Sequence, residues 1–315
     1  MSALPTQATA FAPASVGNAA VGFDILGFSA DIAGDKVTVR RVQTHGVIIT
    51  KVDGIAGPLP TVAKDNTAGR ALEAMLEALG ADFGFEVAIE KGIPLGSGLG
   101  GSAASAVAAV VAANALLEKP YTKLELLKFA MQGEAVSSGS LHVDNVSPSL
   151  FGGLVLTVGV DHPRVKQIPA PEGVRAVLVH PHLVLTTKEA RGILRRTVDL
   201  SDFVWQTANL AGFISGCYTN DLDMIRASFE DVVIEPQRNS LVPGFTQARA
   251  AAMAEGALGC SISGAGPTIF AWALEENAEA VLKAIKSNLE AATRVECDAW
   301  IVDINAPGAR VIEIA

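Results

Sequence analysis

The sequence predicts an α+β protein built as two domains, each a sandwich-like packing of helices on a sheet. Three observations carry this expectation. The chain has 315 residues, enough for one large domain or two ordinary ones. Strand-like and helix-like patterns alternate in both halves, without the strict βαβ rhythm of a parallel sheet. Near the middle, "DHPRVKQIPAPEG" over 161–173 holds three prolines and several charges and reads as a linker. The expected domains are therefore residues 1–165 and 166–315.

The first third opens with strands and turns. "KVTVRRV" (36–42) and "GVIITKV" (46–52) have strand composition. "NTAGRALEAMLEALGA" (66–81) reads as an amphipathic helix with Ala71, Leu72, Met75, Leu76 and Leu79 on its apolar face. "FGFEVAIEKGIP" (83–94) is a strand running into a glycine loop. "TKLELLKFAMQGEAVSSG" (122–139) is a second amphipathic helix, with Leu124, Leu127, Met131 and Ala135 inward and Thr122 as its cap. "SPSLFGGLVLTVG" (147–159) ends in a strand. The second half starts with the strand "VRAVLVHP" (174–181), followed by helical patterns at 187–198, 201–217, 220–229 and 244–255. "GCSISGAGPTIFAWAL" (259–274) reads as strand, glycine turn, strand; a helix at 277–291 and the strand "CDAWIVDI" (297–304) close the chain.

Half of the residues are hydrophobic and 18% are charged, the composition of a well-buried globular protein. A net charge of −9 argues against nucleic acid and against anionic membranes as partners. Cys217, Cys260 and Cys297 form no C-x-x-C pair, so reduced thiols in the cytoplasm are expected. The first eighteen residues carry no Lys or Arg and no long apolar run, so a secretory leader is not expected. From Gly92 to Leu117 there is no charge. Its helical part, "GSAASAVAAVVAANALL", reaches only the short limit of a membrane span, about 17 residues. A helix buried on all sides of a globular protein is the expectation.

Three glycine-rich stretches carry the chemistry. In "PLGSGLGGSAAS" (94–105), Gly96, Gly98 and Gly101 satisfy G-x-G-x-x-G, the dinucleotide fingerprint. The context is wrong for it. A helix and several strands come first, and Glu118 directly follows one long helix instead of ending a second strand. A Walker A loop needs a G-K-[ST] ending that is absent here. The remaining reading uses glycines to wrap a triphosphate, the following helix N-terminus to supply amides, and Ser102 to supply a hydroxyl. "APASVGNAAVGFDILGFS" (12–29) sets Asn18 and Asp24 among apolar neighbours, where each needs a partner. "SISGAGPTIFA" (261–271) is a tight turn between strands.

Together these motifs resemble the GHMP kinase family of small-molecule ATP kinases, and within it the branch that phosphorylates homoserine. "HVDNVSPSLFGG" (142–153), "TKEAR" (187–191) and "EPQRNSLVPGF" (235–245) extend the resemblance over nearly the whole chain. One departure is visible: Gly101 stands where the family usually has serine. The resemblance implies a ribosomal protein S5 domain 2-like N-terminal domain and a ferredoxin-like C-terminal domain. It implies ATP and Mg2+ as co-substrate and cofactor, L-homoserine as substrate, and a homodimer.

It also implies a set of site residues. ATP falls to Asn66, Pro94, Leu95, Gly96, Ser97, Gly98, Leu99, Gly100, Gly101, Ser102, Ala103 and Ala104. The catalytic metal pair is Ser102 and Glu134. The substrate falls to Asn18, Asp24, His142, Asn145, Arg191, Arg238 and Gly264. Homoserine carries a carboxylate, an ammonium and a hydroxyl. Arg191 and Arg238 suit the carboxylate, and Asp24 suits the ammonium. Asn18, His142 and Asn145 suit the remaining polar groups. No residue stands out as the base that removes the hydroxyl proton.

Overall fold

The computed structural model describes residues 5–315; residues 1–4, which open the expected first domain and the segment read for a leader, lie outside them. The first half holds β1 (Gln7–Gly17), β2 (Leu26–Val42), β3 (Gly46–Gly54), α1 (Thr67–Leu79), β4 (Gly84–Lys91), α2 (Gly101–Asn114), α3 (Lys123–Ser138), α4 (Val146–Phe151), β5 (Leu154–Val158) and β6 (Arg164–Ile168). The second holds β7 (Val174–Pro181), α5 (Thr187–Gly192), α6 (Leu200–Thr219), α7 (Leu222–Ser228), α8 (Glu235–Arg238), α9 (Phe245–Ala254), β8 (Gly259–Ile262), β9 (Ile269–Leu274), α10 (Glu275–Thr293), β10 (Cys297–Asp303) and β11 (Arg310–Ile314).

The first sheet runs β11-β1-β2-β4-β3, with β5 added on β2 and β6 on β5. Only β3 and β4 pair in parallel, so this is not the doubly wound sheet of a dinucleotide fold. The second sheet, β10-β7-β9-β8, is antiparallel throughout. Two expectations change here. The stretch read as a linker contains β6, and the expected boundary at 165/166 falls inside that strand. The helix expected over 187–198 stops at Gly192: the apolar pattern continues through Ile193 and Leu194, but past Gly192 the chain makes a turn bond, Leu194 amide to Arg191 oxygen at 3.1 Å, and the helical bonds end.

Helix α2 is small and apolar on every side and is almost wholly buried. It packs against α1 and α3 on one side and against β1 and β2 on the other. Alanine lets these backbones approach closely, which is why the segment needs no polar face. No helix among the described residues is long and apolar enough to cross a membrane. The expected cap of α3 is present as a full capping box: Thr122 Oγ1 accepts from the Glu125 amide, and the Thr122 amide donates to Glu125 Oε2 at 2.7 Å.

The second sheet is buried on both faces, which explains the unbroken apolar run of β7. Val177 and Val179 join the layer of α9 and α10, whereas Ala176 and Leu178 face the first half. There Phe28 meets Phe270 edge-on at 5.6 Å, and Trp272 packs on Phe28, Phe213 and Phe229. Aromatic pairs of this kind contribute about 0.5–1.5 kcal/mol each beyond their buried area. This cluster fixes the two sheets against each other and sets the cleft between the three glycine stretches. The three cysteines are buried and unbridged.

Candidate active site

The loop from Pro94 to Gly100 connects β4 to α2. Gly96, Gly98 and Gly100 all have positive φ. At Gly98 the need is absolute: φ is 80°, and a Cβ would stand 2.5 Å from the Ser263 carbonyl oxygen. Gly100 precedes α2 in a left-handed conformation and supplies no side-chain cap. The first amides of α2 are therefore left for a ligand.

A cavity of about 400 Å³ lies over this loop. Pro94, Leu95, Gly96, Ser97, Gly98, Gly100, Gly101 and Ser102 form one wall; Glu134, Asn145 and Gly264 are also exposed to it. Leu99, Ala103 and Ala104, expected at the nucleotide, do not reach the cavity. Their side chains are fully buried in the core, and the Leu99 amide and carbonyl and the Ala104 amide are hydrogen-bonded within the protein. A second cavity of about 200 Å³ adjoins the first and shares Leu95, Ser102 and Ser137 with it. Leu59, Pro60, Ile89 and Val136 make its walls apolar, and Asn66 lies on its rim. The Asn66 side chain is committed elsewhere: it caps α1 through the Ala68 and Gly69 amides and donates to the Pro60 carbonyl oxygen.

Ser102 Oγ donates to Glu134 Oε1 at 3.0 Å, so α2 and α3 present a hydroxyl and a carboxylate side by side. Ser137 Oγ also donates to Glu134 Oε1, at 3.2 Å. Burial pushes the Glu134 pKa up to about 7; the bonds from Ser102 and Ser137 and the charges of Lys91 and Arg191 act against it. Beneath the loop, Lys91 and Asp35 form a fully buried ion pair. Lys91 Nζ also donates to the Gly101 carbonyl oxygen at 2.6 Å and to Ser105 Oγ at 2.8 Å. The positive charge is thus locked under the start of α2.

The other end of the cleft is made of charged side chains. Arg191 forks onto Asp24, Nη2 to Oδ1 at 2.5 Å and Nη1 to Oδ2 at 3.2 Å. The two groups expected on opposite charges of a zwitterion thus pair with each other. The buried Nε of Arg191 has no hydrogen-bond partner among the described residues. His142 Nδ1 lies 3.2 Å from Arg191 Nη2 and 3.6 Å from Asp24 Oδ1. Burial lowers the His142 pKa, the Asp24 charge raises it, and Arg191 and Arg238 lower it further, so the ring is held toward neutrality.

Arg238 is buried, and Phe23 stacks near both guanidinium groups, 5.1 Å from that of Arg238 and 5.4 Å from that of Arg191. Arg238 donates to the Ala190 and Gly264 carbonyl oxygens. Burial brings its pKa down to about 10. Asn18, at positive φ, bridges the same region: its Nδ2 donates to the Gly264 oxygen and its Oδ1 accepts from the Asp24 amide, both at 2.9 Å. Gly264 is the meeting point, because it also lines the loop cavity. Asn145 Oδ1 accepts from Ser15 Oγ at 3.0 Å, and its Nδ2 donates to Asp144 Oδ2 at 3.3 Å.

Asn18, Asp24, His142, Arg191 and Arg238 therefore gather around one end of the cleft, the loop occupies the other, and Gly264 and Asn145 line the loop cavity. The sequence reading missed Asp144, Phe23, Lys91 and Asp35. Asp144 sat beside Asn145 in a quoted motif, and an acid in an apolar run was its signal. Its carboxyl is buried, which, with the nearby Asp24 charge, pushes its pKa up to about 7. The Lys91–Asp35 pair spans 56 positions, and no local pattern announces it.

Residues 66–153 match the GHMP kinases N-terminal domain, and residues 213–291 match the GHMP kinases C-terminal domain. A homoserine kinase of Xylella fastidiosa is 49% identical over 307 residues, 97% of this chain and 94% of that one. The chain belongs to the GHMP kinase family. This GHMP kinase is also 41% identical to a homoserine kinase of Chloroherpeton thalassium over 317 residues, 97% of this chain and 99% of the other. The crystal structure of homoserine kinase from Cytophaga hutchinsonii superposes on it with a TM-score of 0.93 at 42% identity, covering 99% of each chain. The N-terminal match lies within the first half of the chain and the C-terminal match within the second.

Proposed function

We propose that the protein transfers the γ-phosphoryl group of ATP to the side-chain hydroxyl of L-homoserine, yielding O-phospho-L-homoserine for threonine synthesis. The observation that carries this reading is the convergence at Gly264. A phosphate-loop cavity and a cluster of two arginines, two carboxylates and a neutral histidine meet there. A small zwitterion with a hydroxyl matches both ends of such a cleft.

The triphosphate lies over Gly96–Ser102, where loop amides and the start of α2 face it. The apolar cavity beside it takes the nucleoside. Ser102 and Glu134 fit Mg2+, a cation that takes oxygen donors and keeps several waters. When bound there, the ion offsets phosphate charge. Arg238 and Arg191 take the homoserine carboxylate, the latter with its spare Nε. Asp24 takes the ammonium, and exchanges its present pairing with Arg191 for it. Asn18 and His142 hold the zwitterion, and Asn145 orients the hydroxyl. No side chain is assigned as general base. In a loose transition state the nucleophile needs little prior deprotonation, so positioning and charge stabilisation carry the catalysis.

The division at 165/166 belongs to this reading, with β6 straddling it and β11 returning to the first sheet from beyond it. So do a homodimer and a cytoplasmic location, which light scattering and cell fractionation test.

A non-catalytic homoserine sensor is the competing reading. Turnover with magnesium–ATP is followed as ADP release against L-homoserine, mevalonate and galactose. The proposal expects ADP with homoserine alone. Homoserine binding with no ADP from any alcohol contradicts it.

A further inference from the structure

The carbonyl face of the glycine loop is held by four partners outside the loop. Gly96 O accepts from the Leu185 amide at 2.9 Å, and Leu99 O accepts from the Ser15 amide at 3.1 Å. Gly98 O accepts from Ser263 Oγ at 2.7 Å. Ser97 O accepts from both Thr268 Oγ1, at 2.6 Å, and the Thr268 amide, at 3.2 Å. In a planar trans peptide the next N–H points opposite to the C=O. Anchoring these carbonyls therefore turns the amides of Ser97, Gly98 and Gly100 away from the anchors. Among the described residues those three amides find no protein acceptor. A row of free amides at a turn is an anion-binding nest.

One anchor has a support of its own. The Thr268 hydroxyl has a single proton, and a carbonyl oxygen can only accept, so that proton goes to Ser97 O. His180 Nδ1 stands 3.1 Å from the same hydroxyl oxygen. The ring nitrogen must then carry the proton of this second bond and donate it. We propose that His180 is a positioning residue for phosphoryl transfer, acting through Thr268 to fix the Ser97 carbonyl and so the aim of the loop amides at the phosphates of ATP.

His180 lies on β7, 3% exposed, one residue beyond the Val179–Ile269 pair that joins β7 to β9. Burial pushes its pKa down to about 4, His182 lowers it further, and Asp298 opposes. The ring is therefore neutral, and its hydrogen bond to Thr268 selects the Nδ1–H tautomer. The chain His180–Thr268–Ser97 crosses from the second sheet to the nucleotide loop. It ties the geometry of one half to the grip of the other.

The inference rests on ATP being the ligand of the loop. Calorimetric binding of magnesium–ATP tests it separately from which alcohol is phosphorylated. The variants are His180→Leu, His180→Asn, Thr268→Val and the double variant His180→Leu/Thr268→Val. Asparagine places an N–H donor where Nδ1 stands. The expected result is about tenfold weaker ATP binding, and an equal rise in KM for ATP, in His180→Leu, the effect of one lost neutral hydrogen bond. KM for homoserine stays within about twofold, His180→Asn recovers most of the loss, and the double variant is no worse than Thr268→Val. Unchanged ATP affinity, equal loss for both substrates, or multiplying losses in the double variant overturns the proposal. Should His180→Leu not fold, His180→Asn and Thr268→Val decide: near-normal ATP affinity in the first with loss in the second supports it, and equal affinities overturn it. Weakened ATP binding in an enzyme that ignores homoserine leaves this inference standing and removes the proposed substrate.

Discussion

The two ends of the cleft are built by opposite means. The nucleotide end is backbone: positive-φ glycines, anchored carbonyls and the open start of α2. The proposed homoserine end is side chain: Asp24 and Arg191 pair across 167 positions of sequence, His142 lies against Arg191, and Phe23 stands beside Arg238. The first is held in shape by the protein's own hydrogen bonds. The second is internally paired, and its ligand must replace contacts already made. Backbone sites gain affinity from pre-organisation, whereas paired side chains gain selectivity, because only a ligand carrying both charges restores what it breaks.

This contrast can be broken in five places, three charged side chains and then two glycines, each group taken from the largest effect to the smallest. Glu134→Ala removes the carboxylate beside Ser102. Steady-state kinetics should show kcat reduced roughly a thousandfold, with little change in KM for homoserine. A rise in homoserine KM alone would move Glu134 to the other end of the cleft. Arg238→Ala should raise KM for homoserine about a hundredfold and leave KM for ATP near normal. Arg191→Ala should cost less, about tenfold, because wild-type binding already spends the Asp24–Arg191 contact. If Arg191→Ala proves the more damaging of the two, the Asp24–Arg191 pairing is not what homoserine displaces.

Gly98→Ala should weaken ATP binding about thirtyfold, because both its φ of 80° and the Ser263 oxygen oppose a Cβ. Gly101→Ser should change ATP affinity less than about threefold. A Cβ there meets Ile93 at 3.2 and 3.3 Å and Lys91 Nζ at 3.6 Å, and Gly101 does not need positive φ. Titration of each variant with ATP separates the two glycines. Similar losses at both would mean that the loop tolerates side chains by a rule other than its backbone.

The same contrast governs what the sequence made legible. The glycine loop could be read because the need for positive φ is written at the residue itself. The Thr122–Glu125 box could be read because its partners lie three positions apart. Strand β1 could not be read. Its Ala, Pro and Ser composition has poor strand propensity, and it is held by β2 and β11 on either side. The terminal β11 was missed because its side chains are all exposed and give no alternating pattern. Arg191 and Asp24 were both nominated, but for different charges of the substrate; nothing local told that they meet. Thr268 and Ser97, 171 positions apart, escaped for the same reason. Motifs revealed which residues matter, and only the fold revealed which of them touch.

The most direct measurement follows the phosphorus atom. Purified protein is incubated with magnesium–ATP and L-homoserine, and phosphorus NMR counts the products. One phosphomonoester on homoserine for each ADP is the predicted result. ADP accompanied by free phosphate, with homoserine unchanged, would contradict the account.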